Sequence, residues 1–536
     1  VRRIPVAGLV LALALVLAPT AAASSLLTLR DDGSTFARDD RYLPATQAQP
    51  ASRVRARRPT PPRGGLGVRA AAGAKRAEKP KRTVRRELSR LLQAGAIDRQ
   101  TYHADHATYT KARSLRNKLK KGARRSAMTA VIDNLEDVAA RGDLTASRLP
   151  ELFETVARNH EWWSQGPLLS SGRRVNFRGS PLVWQYYHGE GLQIQWLGTF
   201  GKANALWKSR KHDDELRELL DAALALAAQR AGGIAFEYLF DFDGGRPPWV
   251  SGLAQGTAIQ ALSRAAVRLG EPRYFEAARS GLGIFREKPP SGVRVSTANG
   301  AHYLIYSFAP RLRVLNAFTQ AVNGLHDFAL LANDAVGREL YAAGEAQLRA
   351  ELPRYDSGAW SRYSLQREAD LGYHTLARDF LRNLCTRLTD DRARAAGAAA
   401  PPAVPPGGGA PVAPPPPPVA TVPDPATYCD AAVRFTKYLD EPPVISFVSR
   451  RARAGKPASL KLKVSKPAYV KLAIKRGTHT VTVLSARLGS GRRSLRWRRP
   501  RVGSGYEVQL RATDLAGNVG SAKGELKVLK ARGKRR

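Results

Sequence analysis

Hydrophobic positions along this chain change their period twice. Between residues 85 and 163 they recur every three to four residues. Leu88, Leu91 and Leu92 fall within one turn of each other, and Met128, Val131, Ile132, Leu135 and Val138 line one face. That spacing predicts amphipathic helices, the last of them over 149–163. From residue 167 the chain becomes aromatic and glycine-punctuated (PLVWQYYHGEGLQIQWLGTFGKANAL), then settles into helix-length runs at 213–229, 254–269, 272–282, 313–333, 334–352 and 373–388. Gly232 and Gly233 stop the first of these, and the aromatic segment 234–242 reads as a strand or extended loop. Helices of three to four turns joined by loops such as EYLFDFDGGRPPWVSG predict an α/α toroid, an incomplete barrel of helix pairs around a cleft, rather than a plain bundle. Beyond residue 442 the period becomes two. SLKLKVS, AYVKLAIKR, HTVTVLSARLG and GYEVQLRATDLAGN alternate between turn signals, as in an antiparallel β-sandwich. The predicted fold class is therefore mainly α, a toroid followed by a C-terminal β-sandwich.

These shifts divide the chain. Residues 1–23 read as a secretory signal peptide, because Arg2 and Arg3 precede the apolar run 6–17 and small residues follow. Residues 24–83 mix Ala, Pro and Arg without a period and are expected to be disordered. A helical region spans 84–165 and the toroid 166–439, interrupted at 394–424 by a Pro/Ala/Gly-rich insertion. The sandwich covers 440–530, and 531–536 is a basic tail. Helical pattern resumes at 428–439, so Cys385 and Cys429 flank the insertion, as a disulfide or as two free thiols.

Charge changes the picture of partners. Residues 51–125 hold 23 Lys and Arg against 4 acids, and 441–536 hold 25 against 4, while the whole chain carries +42. The basicity thus belongs to the flanks, which would gather anionic polymers of a cell wall or envelope by long-range attraction. Export excludes nucleic acid as the natural partner and places the protein outside the cell or on its envelope, with no membrane span once the leader is cleaved. Two cysteines are too few for a cysteine-built metal cluster, no specific motif indicates calcium, and no cofactor is implied. Phosphate loops, HExxH and nucleophile elbows are absent from the sequence. No feature fixes an oligomeric state.

Three motifs in order give the toroid a family likeness: WVSGLAQGTAIQALSRAA at 249–266, VLNAFTQAVNGLHDFALL at 314–331, and LPRYDSG, RYSL and GYHTLARDFLRNL between 352 and 384. The module resembles the C-terminal catalytic domain of the D-glucuronyl C5-epimerase family, whose enzymes invert glucuronic to iduronic acid within acidic polysaccharides. The resemblance implies catalytic tyrosines at Tyr306, Tyr363 and Tyr373. Ile305 stands where the family places an acid, and Ser364 and Gln366 where it places Asp and Arg. DLAGNVG at 514–520 resembles the last hairpin of bacterial Ig-like or fibronectin-III-like modules.

Epimerisation removes a proton beside a carboxylate and returns one from the opposite face, so two proton carriers must flank the ring. A phenol, with an ordinary pKa near 10, is a strong base when ionised and a competent acid when neutral. Asn316 and Gln366 would hold sugar or carboxylate oxygens. His374 would activate a phenol or donate to the carboxylate, unless its place one step along the helix turns it from the ring. Trp184, Gln185, Tyr187 and Glu237 complete the expected sugar-binding set. With the motif arginine missing, Arg311, Arg313 or Arg362 would have to meet the developing charge. Asp241 and Asp243 read as calcium ligands or caps of the Gly turn, and with Glu237 as a glycosidase acid set. A polyuronate lyase, a glycoside hydrolase and a non-catalytic glycan binder are the competing functions.

Overall fold

The structure, a computed structural model, describes residues 25–30, 32–44, 82–399 and 422–531. The expected leader and most of the Pro/Ala/Gly insertion lie outside these residues, and so does the tail beyond Ala531. No helix among the described residues is long and apolar enough to cross a membrane.

The expectation of disorder over 24–83 fails at its start. Strands β1 (Ser25–Leu29) and β2 (Thr35–Asp39) pair antiparallel as SLLTL and TFARD. They are too short to declare a period alone, and they gain order from distant partners. Leu26 and Leu43 pack with Val183, Lys202 pairs with Asp40 at 2.9 Å, and Tyr42 bonds His212 at 2.8 Å.

Four helices follow: α1 (Val84–Gln93), α2 (Arg99–Lys118), α3 (Ala123–Arg141) and α4 (Leu149–Gln165). Thr83 and Asp98 accept backbone N–H bonds at the starts of α1 and α2. Gly142, in the left-handed region with φ 81°, ends α3. Met128, Val131, Ile132, Leu135 and Val138 form the buried face of α3. Strands β3 (Arg174–Phe177), β4 (Ser180–Tyr187) and β5 (Gly191–Ile194) join β1 and β2 in a five-stranded sheet. Asn159 on α4 stitches helices to sheet: its Nδ2 donates to the Leu192 carbonyl at 2.7 Å, while its Oδ1 accepts from Leu192 N and Trp163 Nε1, each at 2.9 Å.

The toroid-like part begins with α5 (Trp196–Ser209) and α6 (Asp213–Ala225). The period predicts α6 to Gln229, but it stops four residues earlier because β6 (Ala228–Arg230) turns back on β7 (Gly233–Ala235). The pair β8 (Glu237–Tyr238) and β9 (Trp249–Val250) encloses the FDFDGG loop. Next come α7 (Gly252–Leu269), α8 (Arg273–Ser280), α9 (Gly283–Arg286), the hairpin β10 (Arg294–Thr297) and β11 (Gly300–Tyr303), α10 (Leu315–Leu331) and α11 (Ala335–Glu351). Helices α7 and α10 are buried over most of their length and touch backbone to backbone. A Cβ on Gly324 would fall 2.0 Å from the Gly256 carbonyl oxygen, so neither position admits a side chain. The hairpin β12 (Arg362–Ser364) and β13 (Arg367–Glu368) precedes α12 (Leu371–Ala399) and α13 (Ala426–Asp440). The long α12 enters the expected insertion by six residues; its RARAAGAA end is rich in helix-forming Ala and Arg.

The sandwich comprises β14 (Ile445–Phe447), β15 (Arg451–Arg453), β16 (Ala458–Val464), β17 (Ala468–Arg476), β18 (His479–Leu488), β19 (Gly491–Trp497), β20 (Gly503–Asp514) and β21 (Val519–Leu529). One sheet runs β14-β16-β19, the other β15-β21-β20-β17-β18, and all pairs are antiparallel except β15 with β21. The architecture is thus mainly helical, with toroid-like helix pairing followed by an antiparallel sandwich. Buried Lys466 fastens the two parts: its ammonium donates to the carbonyls of Tyr438 and Glu441 and pairs with Asp514 at 3.1 Å. Cys385 of α12 and Cys429 of α13 are joined as a disulfide, with Cα atoms 5.0 Å apart and a sequence separation of 44. Closing that loop constrains the unfolded chain, so replacing both cysteines with Ser should lower the unfolding free energy by roughly 4 kcal/mol. Denaturant melts of parent and variant measure this, and unchanged stability would contradict it.

Candidate active site

Tyr306 and Tyr363 line one cleft of about 680 Å3, and Tyr373 packs against Tyr363 beside it. Tyr306 leaves β11, held by Ser307, whose N–H donates to the Val250 carbonyl at 3.0 Å and whose Oγ accepts from Val250 N. Tyr363 sits on β12, which an isolated bridge between Ser364 and Val314 ties to the start of α10. Tyr373 lies in the first turn of α12, its N–H donating to Asp370 at 2.9 Å. The rings of Tyr363 and Tyr373 meet with centroids 4.6 Å apart, and Tyr306 stacks on Phe308 at 5.1 Å. Tyr306, Tyr363, Gln366 and Arg367 line the cleft together with Tyr187, Glu190, Asp241 and Asp243. Tyr373 reaches the site through its contact with Tyr363.

Asp243 arrives there by turn chemistry. Phe242 and Gly245 exchange both backbone hydrogen bonds, and Asp243 and Gly244 between them take φ of 46° and 85°. These are the left-handed values of a tight Asp-Gly hairpin turn. The turn is clamped from both sides, since the Phe242 ring packs 5.7 Å from Tyr306 and a Cβ on Gly245 would strike the Phe308 ring.

Burial sets the protonation states. It drives Tyr306 well above the ordinary phenol value, and the nearby phenols of Tyr363 and Tyr373 and the Asp243 carboxylate add to the effect. Burial and Tyr373 raise Tyr363, opposed by the Arg367 guanidinium 4.5 Å from its ring centroid. Tyr373 rises least of the three, to about 12, through burial and Asp370, again with Arg367 pulling it down. Burial and the neighbouring Asp241 push Glu190 up to about 8, and burial raises Asp241.

The structure thus assembles Tyr306, Tyr363, Tyr373, Tyr187 and Gln366, and turns five other expected contacts elsewhere. His374 is 0% exposed: it stacks on Trp360 at 3.9 Å, donates from Nε2 to the Phe435 carbonyl at 2.8 Å and accepts from Ser361 Oγ at 2.7 Å. Burial holds it down to about 4, so it is a neutral strut between α12 and α13. Glu237 is sealed between Arg148 and Arg230, each at 2.6 Å, which removes it as a sugar contact and as a hydrolytic acid. Trp184 is a core residue bonded to Ser180 Oγ at 3.1 Å, and Gln185 is buried against Arg174. Asn316 is buried at the start of α10, away from the cleft lining. Arg313 pairs with Glu351 at 3.0 Å; the cleft's guanidinium is instead Arg367, one position beyond Gln366. Sequence reasoning missed Arg367 and Glu190 altogether. It did single out Asp241 and Asp243 in FDFDGG, but as cation ligands, turn caps or hydrolytic acids.

Similarity to known proteins falls on this same stretch. Residues 231–395 match the family described as D-glucuronyl C5-epimerase C-terminus. This segment resembles the D-glucuronyl C5-epimerases. All three cleft tyrosines lie within it. A D-glucuronyl C5-epimerase of Caenorhabditis elegans is 33% identical over 136 residues, 23% of this chain and 22% of that protein. The chain therefore spans about a fifth of the length of the curated relative it matches. Among solved structures, endo-beta-1,4-glucanase CMCax from Acetobacter xylinum aligns at 13% identity and a TM-score of 0.29, over 49% of this chain and 92% of that one. The unsaturated glucuronyl hydrolase from Streptococcus agalactiae aligns at 13% and 0.30, over 46% and 58%. Likenesses that faint decide neither fold nor activity. Outside the cleft, Glu237→Ala should cost roughly 3 kcal/mol by removing the buried carboxylate that two half-buried arginines share. Chemical denaturation checks this; a loss of polymer turnover at unchanged stability would return Glu237 to the active site.

Proposed function

We propose that the protein is a C5-epimerase acting on uronic acid residues of an acidic polysaccharide, by tyrosine-mediated removal and return of the C5 proton. The observation that carries this reading is that Tyr306 and Tyr363 line one cleft, with Tyr373 packed against Tyr363, and that all three lie in the epimerase-like segment. Different protonation environments separate the roles. Arg367 pulls Tyr373 and Tyr363 down, so Tyr373, the least raised, is the phenol most readily ionised and serves as base. Tyr306, the most strongly raised, holds its proton and returns it from the other side of the ring.

Arg367 supplies the positive charge that the enediolate-like intermediate needs, taking the part of the arginine absent at Gln366. Glu190, with its pKa near 8, is largely a neutral acid at neutral pH. It therefore donates to a sugar oxygen instead of repelling the substrate carboxylate. Export, expected from residues 1–23, would bring the cleft to such polymers outside the cell.

Replacing Tyr373 with Phe should slow C5 deuterium exchange into a glucuronic acid polymer by at least about a hundredfold, the usual scale of a lost proton carrier. Polymer binding should be nearly unchanged. Exchange that survives in this variant would remove Tyr373 from the chemistry. Chain cleavage with the ultraviolet absorbance of an unsaturated uronate would make the protein a lyase, which begins with the same proton abstraction but expels the C4 substituent.

A further inference from the structure

The outer face of the larger sandwich sheet carries an arrangement that folding alone does not explain. Strand register sets Lys471 directly opposite Arg511, and Tyr469 opposite Arg487. All four side chains are exposed, Tyr469 at 57%, and the Arg487 guanidinium stands 5.8 Å from its ring centroid. Like charges directly opposite each other weaken a sheet. Among the described residues no carboxylate pairs with Lys471, Arg487 or Arg511, so nothing in the fold relieves the repulsion. An exposed aromatic on a large hydrophobic residue's scale of contact area offers a flat apolar surface suited to the C–H face of a sugar ring. Cations beside it suit carboxylates.

The same end of the sheet abuts the cleft. Ser490 N, in the turn after β18, donates to the Glu368 carboxylate at 3.1 Å, and a Cβ on Gly489 would sit 2.8 Å from that carboxylate. Glu368 follows Arg367, which lines the cleft. Arg487 lies three residues before Ser490, about 10 Å along a strand. The paired Tyr469 and Arg487 thus stand at the end of the sheet that contacts the hairpin bearing Arg367.

We propose that Tyr469, Lys471, Arg487 and Arg511 form a second binding surface for the acidic polysaccharide, continuous with the rim of the cleft. This rests on the polyuronate reading of the cleft. The surface engages sugar units beyond the one that reacts, so it acts on long chains and not on short ones.

Direct titration of the full chain with a glucuronic acid homopolymer, and with a trisaccharide of the same sugar, tests the idea. The variant Y469A/K471E/R511E should weaken polymer binding by about tenfold or more, as loss of several contacts to a polyelectrolyte does. Its trisaccharide Kd should match the parent's. The control K461E/R496E makes the same change in net charge on the other sheet's outer face and should leave the polymer Kd within about twofold. Equal losses in both variants would reduce the effect to bulk charge and overturn the proposal. So would loss of trisaccharide binding, or duplex DNA binding the parent as tightly as the polymer does. C5 exchange by the parent is read separately: if it is absent while the affinities fall as stated, the cleft's reaction is wrong and the surface stands.

Discussion

The contact between the backbones of α7 and α10 is the constraint on which the rest of the molecule hangs. Gly256 and Gly324 let the two helices close to a distance that no side chain would permit, and the pair is buried along most of its length. The starts of both helices then have fixed positions. At the head of α7, Gly252 N donates to the Leu304 carbonyl at 3.1 Å, and Val250 and Ser307 bond each other, which pins the segment bearing Tyr306. At the head of α10, Val314 bridges Ser364 beside Tyr363. Two of the three phenols are thus placed by one close approach of backbone, and the third by packing against the second.

Such a site faces an electrostatic conflict. On the proposed polyuronate reading, an acidic substrate would enter a cleft lined by Glu190, Asp241 and Asp243 beside the phenols of Tyr306 and Tyr363. Burial resolves part of it by keeping Glu190 protonated to about pH 8 and Tyr306 neutral. Arg367 contributes as well, because one guanidinium over Tyr363 works against the rise of both Tyr363 and Tyr373. The strong positive charge of the chain plays little part in this balance, because it sits mostly at the flanks.

The sandwich is more than an appendage on a linker. Lys466 is buried among two carbonyls of the α13 end and the Asp514 carboxylate, and it lies 5.6 Å from the ring centroid of Trp360, which stacks on His374. Asn518 Nδ2 donates to the Leu439 carbonyl and Glu368 holds the Ser490 turn, so polar contacts fix the sandwich both to the end of α13 and to the hairpin that bears Tyr363.

The sequence alone determined the helices and the period-two sandwich, because an amphipathic face such as Met128 to Val138 repeats locally and needs no knowledge of its partner. It also singled out the three tyrosines, through motifs whose order survives along the chain. Tertiary structure decided whatever depends on contacts distant in sequence. Strands β1 and β2 are ordered by β3, more than a hundred residues away, so SLLTL carried no signal of its own. Glu237 became a structural ion because Arg148 and Arg230 meet it, and His374 a strut because Trp360 and Phe435 enclose it. Arg367 entered the cleft because the β12–β13 hairpin turns there; its place one position from the family's arginine hid it. A side chain's burial, partner and charge belong to the folded neighbourhood, and one-dimensional periodicity does not encode that neighbourhood.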